Sequence, residues 1–154
     1  MTTRPNPNAV PVGMTLVELM IVLVILAILA AVAWPSYQNA VQRSRRADAV
    51  AALTEIMQAQ ERWRANNPAY KATLTEPALP GTRTVSHDGH YGLSLADVTA
   101  STYTAQATVR TGSPQTADSR CQVMRVVIVG GNIGYTSLAG GDVANGAPDP
   151  CWSK

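Results

Sequence analysis

Glu18 is the only charged residue in the 21 residues from Met14 to Trp34, MTLVELMIVLVILAILAAVAW. A carboxylate near the centre of a bilayer costs roughly 2.5–3.5 kcal/mol on insertion scales. A lone acid at the entrance to such a run therefore asks for a partner. The other candidates for chemistry are weaker. His87 and His90 stand three apart in HDGH, without cysteine or carboxylate partners at ligand spacing, so the segment reads as a solvated turn and not as a metal site. Cys121 and Cys151 are the two cysteines of the chain. On an oxidising side of a membrane one disulfide is the economical reading, and two buried free thiols are the alternative. The segment VGGNIG at 129–134 is followed by no helical pattern, so it is not a dinucleotide loop. No Ser/His/Asp or Cys/His arrangement is legible, and catalysis is not expected. RSRR at 43–46 is suited to lipid headgroups or to acidic residues of a neighbouring chain.

These residues must be positioned by what lies around them. The 154 residues suffice for one modest domain beyond the apolar run. Charged residues make up 14% of the chain, against roughly 25% in average soluble domains. The net charge of +2 gives no global argument for nucleic acid. Residues 1–12, MTTRPNPNAVPV, carry three prolines and no helical period. The run 14–34, as a helix, spans about 31 Å, which matches a hydrocarbon core of about 30 Å. Pro35 follows, removes a backbone donor, and weakens or kinks a helix that passes through it.

Residues 36–66 hold no glycine or proline and are rich in helix formers. Ala49, Leu53, Ile56, Gln60 and Trp63, with Met57 beside them, form one helical stripe able to cover a core. Tyr37, Ala40, Val41, Ser44 and Ala51 lie on a different face, which suggests packing against another chain; ordinary surface alanines are the alternative. The segment NNPAY at 66–70 ends the helix, and 71–89 reads as loop, with Pro77, Pro80, Gly81 and Gly89. Strands are predicted at 91–96, 102–109, 121–129 and 133–138, with a turn at 130–132. The tail 139–154 reads as irregular. A Cys121–Cys151 bridge would tie it to the third strand across 29 intervening residues, a closure worth about 3–4 kcal/mol in the chain-entropy model.

The stretch GMTLVELMIVLVILAILAAVAWPSY resembles the N-terminus of type IV prepilins and their pseudopilin relatives. The resemblance implies cleavage by a prepilin peptidase between Gly13 and Met14, and methylation of the new amine on Met14. Glu18 then falls at the fifth mature position, where the family places its glutamate, and Pro35 where many pilins carry a helix-loosening proline. Both would serve assembly. A buried ammonium and a buried carboxylate are each costly and together offset much of each other. The family pairs this glutamate with the N-terminal amine of a neighbouring subunit. Met14 stands where most members have phenylalanine, and the leader holds a single basic residue, Arg4. The helix at 36–66, the short strands, the cysteine pair and the closing Cys151–Trp152 are similar to PilE-like minor pilins.

The implied fold is α+β: a long N-terminal helix, its first half transmembrane, packed on a four-stranded antiparallel sheet. The implied segments are a leader at 1–13, a membrane and filament-core half at 14–35, and an amphipathic half at 36–66. A connecting loop at 67–90, the sheet at 91–138 and a disulfide-closed tail at 139–154 follow. The implied function is that of a minor pilin serving adhesion, twitching motility or DNA uptake. The implied partners are other pilin subunits, the prepilin peptidase, the inner-membrane assembly platform and the inner membrane itself, with no cofactor. The C-terminal domain would face the periplasm and later the cell surface. The positive-inside rule alone puts Arg43, Arg45 and Arg46 in the cytoplasm; the resemblance and the cysteine pair favour the opposite side.

Two other readings compete. A type II secretion pseudopilin shares this N-terminus, but no acidic calcium-binding loop is visible here. An ordinary signal peptide would be cut after AVA at 31–33 and release a secreted domain starting at Trp34. Against it stand Glu18, the weakly charged leader and the length of the apolar run. Nucleic acid as a partner has no support in the sequence. Lys71, Arg83, Arg110, Arg120 and Arg125 are available for a basic patch, but their clustering is not legible, and no specific DNA binding is expected.

Overall fold

The computed structural model describes residues 13–75, 79–139, 142–143 and 149–152. Residues 1–12 of the leader, Pro77 and most of the tail lie outside them. One helix, α1, runs Leu16–Arg64 with Pro35 inside it. Its second half forms where alanine and straight-chain residues dominate. It stops two residues before Asn66, where Asn67 Nδ2 donates to the Trp63 carbonyl at 2.8 Å and Pro68 follows. By contacts the chain divides into residues 1–39 and residues 40–154.

In the first unit every described residue is exposed, including Leu16, Ile25, Leu29 and Val32. The described residues contain one helix long and apolar enough to cross a membrane. Pro35 leaves the Ala31 carbonyl without its usual donor, yet helical structure continues through it.

In the second unit the sheet has the order β1-β2-β3-β4-β5, all antiparallel. Its strands are β1 (Tyr91–Ala96), β2 (Thr102–Val109), β3 (Val123–Val129), β4 (Asn132–Ala139) and β5 (Asp142–Val143). Four of them correspond to the predicted strands. Asn132 belongs to β4 and not to the turn, because Gly130 and Gly131, both at positive φ, close a two-residue hairpin alone. The two-residue β5 pairs with Leu138 and Ala139, so the tail is not wholly irregular. A short 3-10 helix, Pro114–Ala117, capped by the Ser113 hydroxyl, was also absent from the sequence reading.

Alternation decides the two faces of the sheet. Tyr91, Leu93, Tyr103, Ala105, Ala107, Met124, Val126 and Ile128 are buried beneath Ala49, Ala52, Leu53, Ile56 and Ala59 of α1. Full burial of a side chain such as Leu53 or Ile56 contributes about 1.5–3 kcal/mol. The predicted stripe holds, with Trp63 and Met57 partly buried at its margin. Gln60 sits within it fully buried, because both ends of its amide are bonded to the backbone of Lys71, at 2.8 and 2.9 Å. The second stripe is left open, with Tyr37, Ala40, Ser44 and Ala51 exposed and Val41 half-buried.

Candidate functional sites

Glu18 lies in the first turn of α1. Its backbone N–H donates to the Thr15 hydroxyl at 3.2 Å, and the Leu19 N–H donates to the Thr15 carbonyl at 3.2 Å. Thr15 is thus the N-cap and Glu18 the third helical residue, the arrangement of a T-x-x-E capping sequence. Sequence reasoning missed Thr15, although TLVE carries that signal. The carboxylate is placed where the positive end of the helix dipole favours it. Gly13 and Met14 precede the cap and are exposed. A Cβ added at Gly13 would meet nothing within 4 Å, so no local crowding demands glycine there. Glu18, Gly13, Met14 and Pro35 share one exposed segment.

Cys121 and Cys151 form a disulfide with Cα atoms 5.7 Å apart. Cys121 stands two residues before β3, so the bridge anchors the tail beside the strand and not within it. Trp152 follows, donating its indole N–H to the Thr136 carbonyl at 3.0 Å and lying 4.9 Å from the Tyr135 ring.

The basic run 43–46 is divided. Arg46 turns inward: Nε donates to Asp118 Oδ2 at 2.6 Å and Nη2 to Oδ1 at 2.9 Å. Gln115 Nε2 donates to the same carboxylate at 2.8 Å, and Arg46 Nη1 reaches the Pro150 carbonyl at 3.4 Å. The expectation that this run meets headgroups or a neighbouring subunit is therefore corrected for Arg46, whose partner is internal. A carboxylate 2% exposed bound by a fork-shaped donor is a buried, bidentate pair. It links α1, the 3-10 segment and the tail.

HDGH forms a turn, with Gly89 at positive φ and His87 and Asp88 exposed. His90 Nδ1 lies 3.1 Å from the Ser113 hydroxyl. Tyr91 is fully buried, and burial pushes its hydroxyl up to about 12.

The five basic residues proposed as a patch do not converge as one. Lys71 lies 4.7 Å over the Trp63 ring. Arg83 and Arg120 are exposed in loops. Arg110 and Arg125 share the outer face of the sheet. The Arg110 stem lies over Gly92 of β1, 3.8 Å from where a Cβ would be, and its Nη1 donates to the Gly89 carbonyl at 3.1 Å. Arg125 pairs in register with Gln106 of β2 and Thr136 of β4. Polar residues such as Thr104, Gln106, Thr108 and Thr136 share this face with Val123, Val127, Val129 and Leu138, and no outward position on β1 to β4 carries a carboxylate. Asp97, beyond the end of β1, accepts from Thr104 at 3.4 Å.

Comparison with known proteins adds three findings. Residues 13–34 match the model of the prokaryotic N-terminal methylation motif. Residues 35–125 match the model of the type IV minor pilin ComP family, described as a DNA uptake sequence receptor. Over 69 residues the chain is 42% identical to the type IV major pilin protein PilE1 of Neisseria gonorrhoeae, covering 40% of this chain and 32% of that protein. The chain thus spans about a third of the length of this curated relative. The pseudopilin alternative is not favoured by these matches. A methylation motif opening a long apolar helix, an antiparallel sheet behind it and a family match over 35–125 give one answer: the chain belongs to the type IV minor pilin ComP family.

Proposed function

We propose that the chain is a minor pilin that is cut between Gly13 and Met14, methylated on Met14, and displays a DNA-receiving surface on a pilus. Prepilin peptidase makes the cut. The inner membrane holds the apolar helix, with residues 40–154 on the periplasmic side, until the assembly platform inserts the subunit. The exposed surface of α1 from Leu19 to Trp34, apolar throughout, supports this, because such a surface needs lipid or other helices to cover it. Glu18 then compensates the N-terminal ammonium of a neighbouring subunit in the filament core. Pro35 loosens the helix as it leaves the lipid.

DNA capture has one carrying observation. Arg110 and Arg125 stand on an outer sheet face whose β1 to β4 positions carry no carboxylate, with Asp97 at its margin held by Thr104. The family's description as a DNA uptake sequence receptor points the same way. The sequence gives no ground for specific DNA binding, because the clustering of Arg110 and Arg125, 15 residues apart, depends on strand register. Titration of the full-length chain in detergent with labelled duplex DNA at several salt concentrations is the test. Binding that weakens steeply with salt, and is lost in Arg110→Ala/Arg125→Ala, is expected. Equal binding by the double variant would remove the sheet face from the proposal.

A further inference from the structure

We infer that Arg125 is a preorganised phosphodiester-binding site, built by a hydrogen-bonded relay across two strands. The inference rests on the DNA-receiving reading above. Arg125 Nε donates to Gln106 Oε1 at 2.8 Å, and Gln106 Nε2 donates to the Thr108 hydroxyl at 3.0 Å. An arginine Nε–H needs an acceptor, so the Gln106 oxygen must face Arg125 and its amide nitrogen must face Thr108. The relay fixes the guanidinium through its inner nitrogen and leaves both terminal nitrogens without a partner among the described residues. Those two nitrogens form the fork that matches paired oxygen acceptors. No acidic side chain on β1 to β4 occupies the fork.

Paired acceptors on duplex DNA come from two sources, the two oxygens of a phosphodiester or the N7 and O6 of a guanine. Dimensions select the first. Four strands about 4.8 Å apart span about 14 Å between the outer axes, before side chains are added. The major groove is about 12 Å wide. The sheet cannot enter it, and Arg125 stands on the inner strand β3, so the face meets the sugar-phosphate rim. Arg110, whose Nη1 bonds the Gly89 carbonyl before the start of β1, offers a second cation farther along the same face. Arg125 therefore contributes affinity and register, while any reading of sequence falls to other elements.

The test is duplex binding by the full-length chain in detergent, on two unrelated DNA sequences across a salt series. Arg125→Lys keeps the charge and loses the fork. It is expected to weaken binding about ten-fold, equally on both sequences, with an unchanged salt slope. Arg125→Met is expected to reduce the slope by about one. Gln106→Leu keeps every charge and is expected to weaken binding about three-fold at unchanged slope, a signature of positioning. Wild-type affinity in Arg125→Lys overturns the site. Loss confined to one of the two sequences overturns the phosphate assignment in favour of a base edge. No duplex binding by the wild-type chain overturns the DNA reading itself, and this inference with it. Circular dichroism of each variant separates these results from misfolding.

Discussion

Replacing Asp118 by alanine tests whether the Arg46 network organises residues 40–154. Asp118 is 2% exposed and Arg46 is 12% exposed at the side chain, so neither group has water to fall back on. The carboxylate accepts from Nε at 2.6 Å, from Nη2 at 2.9 Å and from Gln115 at 2.8 Å. Its removal leaves a largely buried guanidinium whose remaining hydrogen bond among the described residues is to the Pro150 carbonyl at 3.4 Å. Breaking a buried pair from one side costs about 3–5 kcal/mol, whereas an exposed pair costs 0–1 kcal/mol. The folding unit is 115 residues long, where 1 kcal/mol shifts the melting temperature by about 4 °C. Asp118→Ala should therefore lower the midpoint by about 12–20 °C, read by near-ultraviolet circular dichroism on the full chain in detergent. The paired replacement Arg46→Met/Asp118→Leu removes both charges and should recover most of the loss. A shift below about 4 °C in Asp118→Ala would show the pair to be solvated, and the argument from burial would fail.

Three further outcomes follow from the same structure. Replacing both cysteines by serine should destabilise residues 40–154 by about 3–4 kcal/mol in urea titration, and an unchanged midpoint would contradict the anchoring of the tail. Leu53→Ala, at a position with no exposed surface, should cost about 2–5 kcal/mol, measured in the same titration. Tyr91 is neutral in both states below pH 10, but between pH 10 and about 12 only the unfolded chain ionises it. Stability should accordingly fall as pH rises through that window, by about 1.4 kcal/mol per pH unit, with Tyr103 acting in the same direction. Tyr91→Phe should flatten that fall, and an unaltered alkaline profile would show that the hydroxyl is not desolvated.

What the sequence discloses follows the range of each interaction. The buried stripe of α1 and the four main strands are set by periodicities of 3.6 and 2, which neighbouring residues display. The disulfide is legible because two cysteines allow one pairing. The Thr15 cap was also open to reading, since TLVE is a local signal. Arg46 and Asp118 are 72 residues apart, and nothing local ties them. The Thr108–Gln106–Arg125 relay depends on Gln106 standing opposite Arg125 in register, which no single strand contains. The second stripe on α1 is left open, with Tyr37, Ala40, Ser44 and Ala51 exposed and Val41 half-buried.

Everything proposed for the assembly helix depends on where the mature chain begins. The direct measurement is the intact mass and N-terminal sequence of the protein from membranes, with and without prepilin peptidase. The account predicts a chain that starts at Met14 with one added methyl group, and an uncut chain when the peptidase is absent. A chain that starts at Trp34 regardless of the peptidase would contradict it, and would remove the role assigned to Glu18.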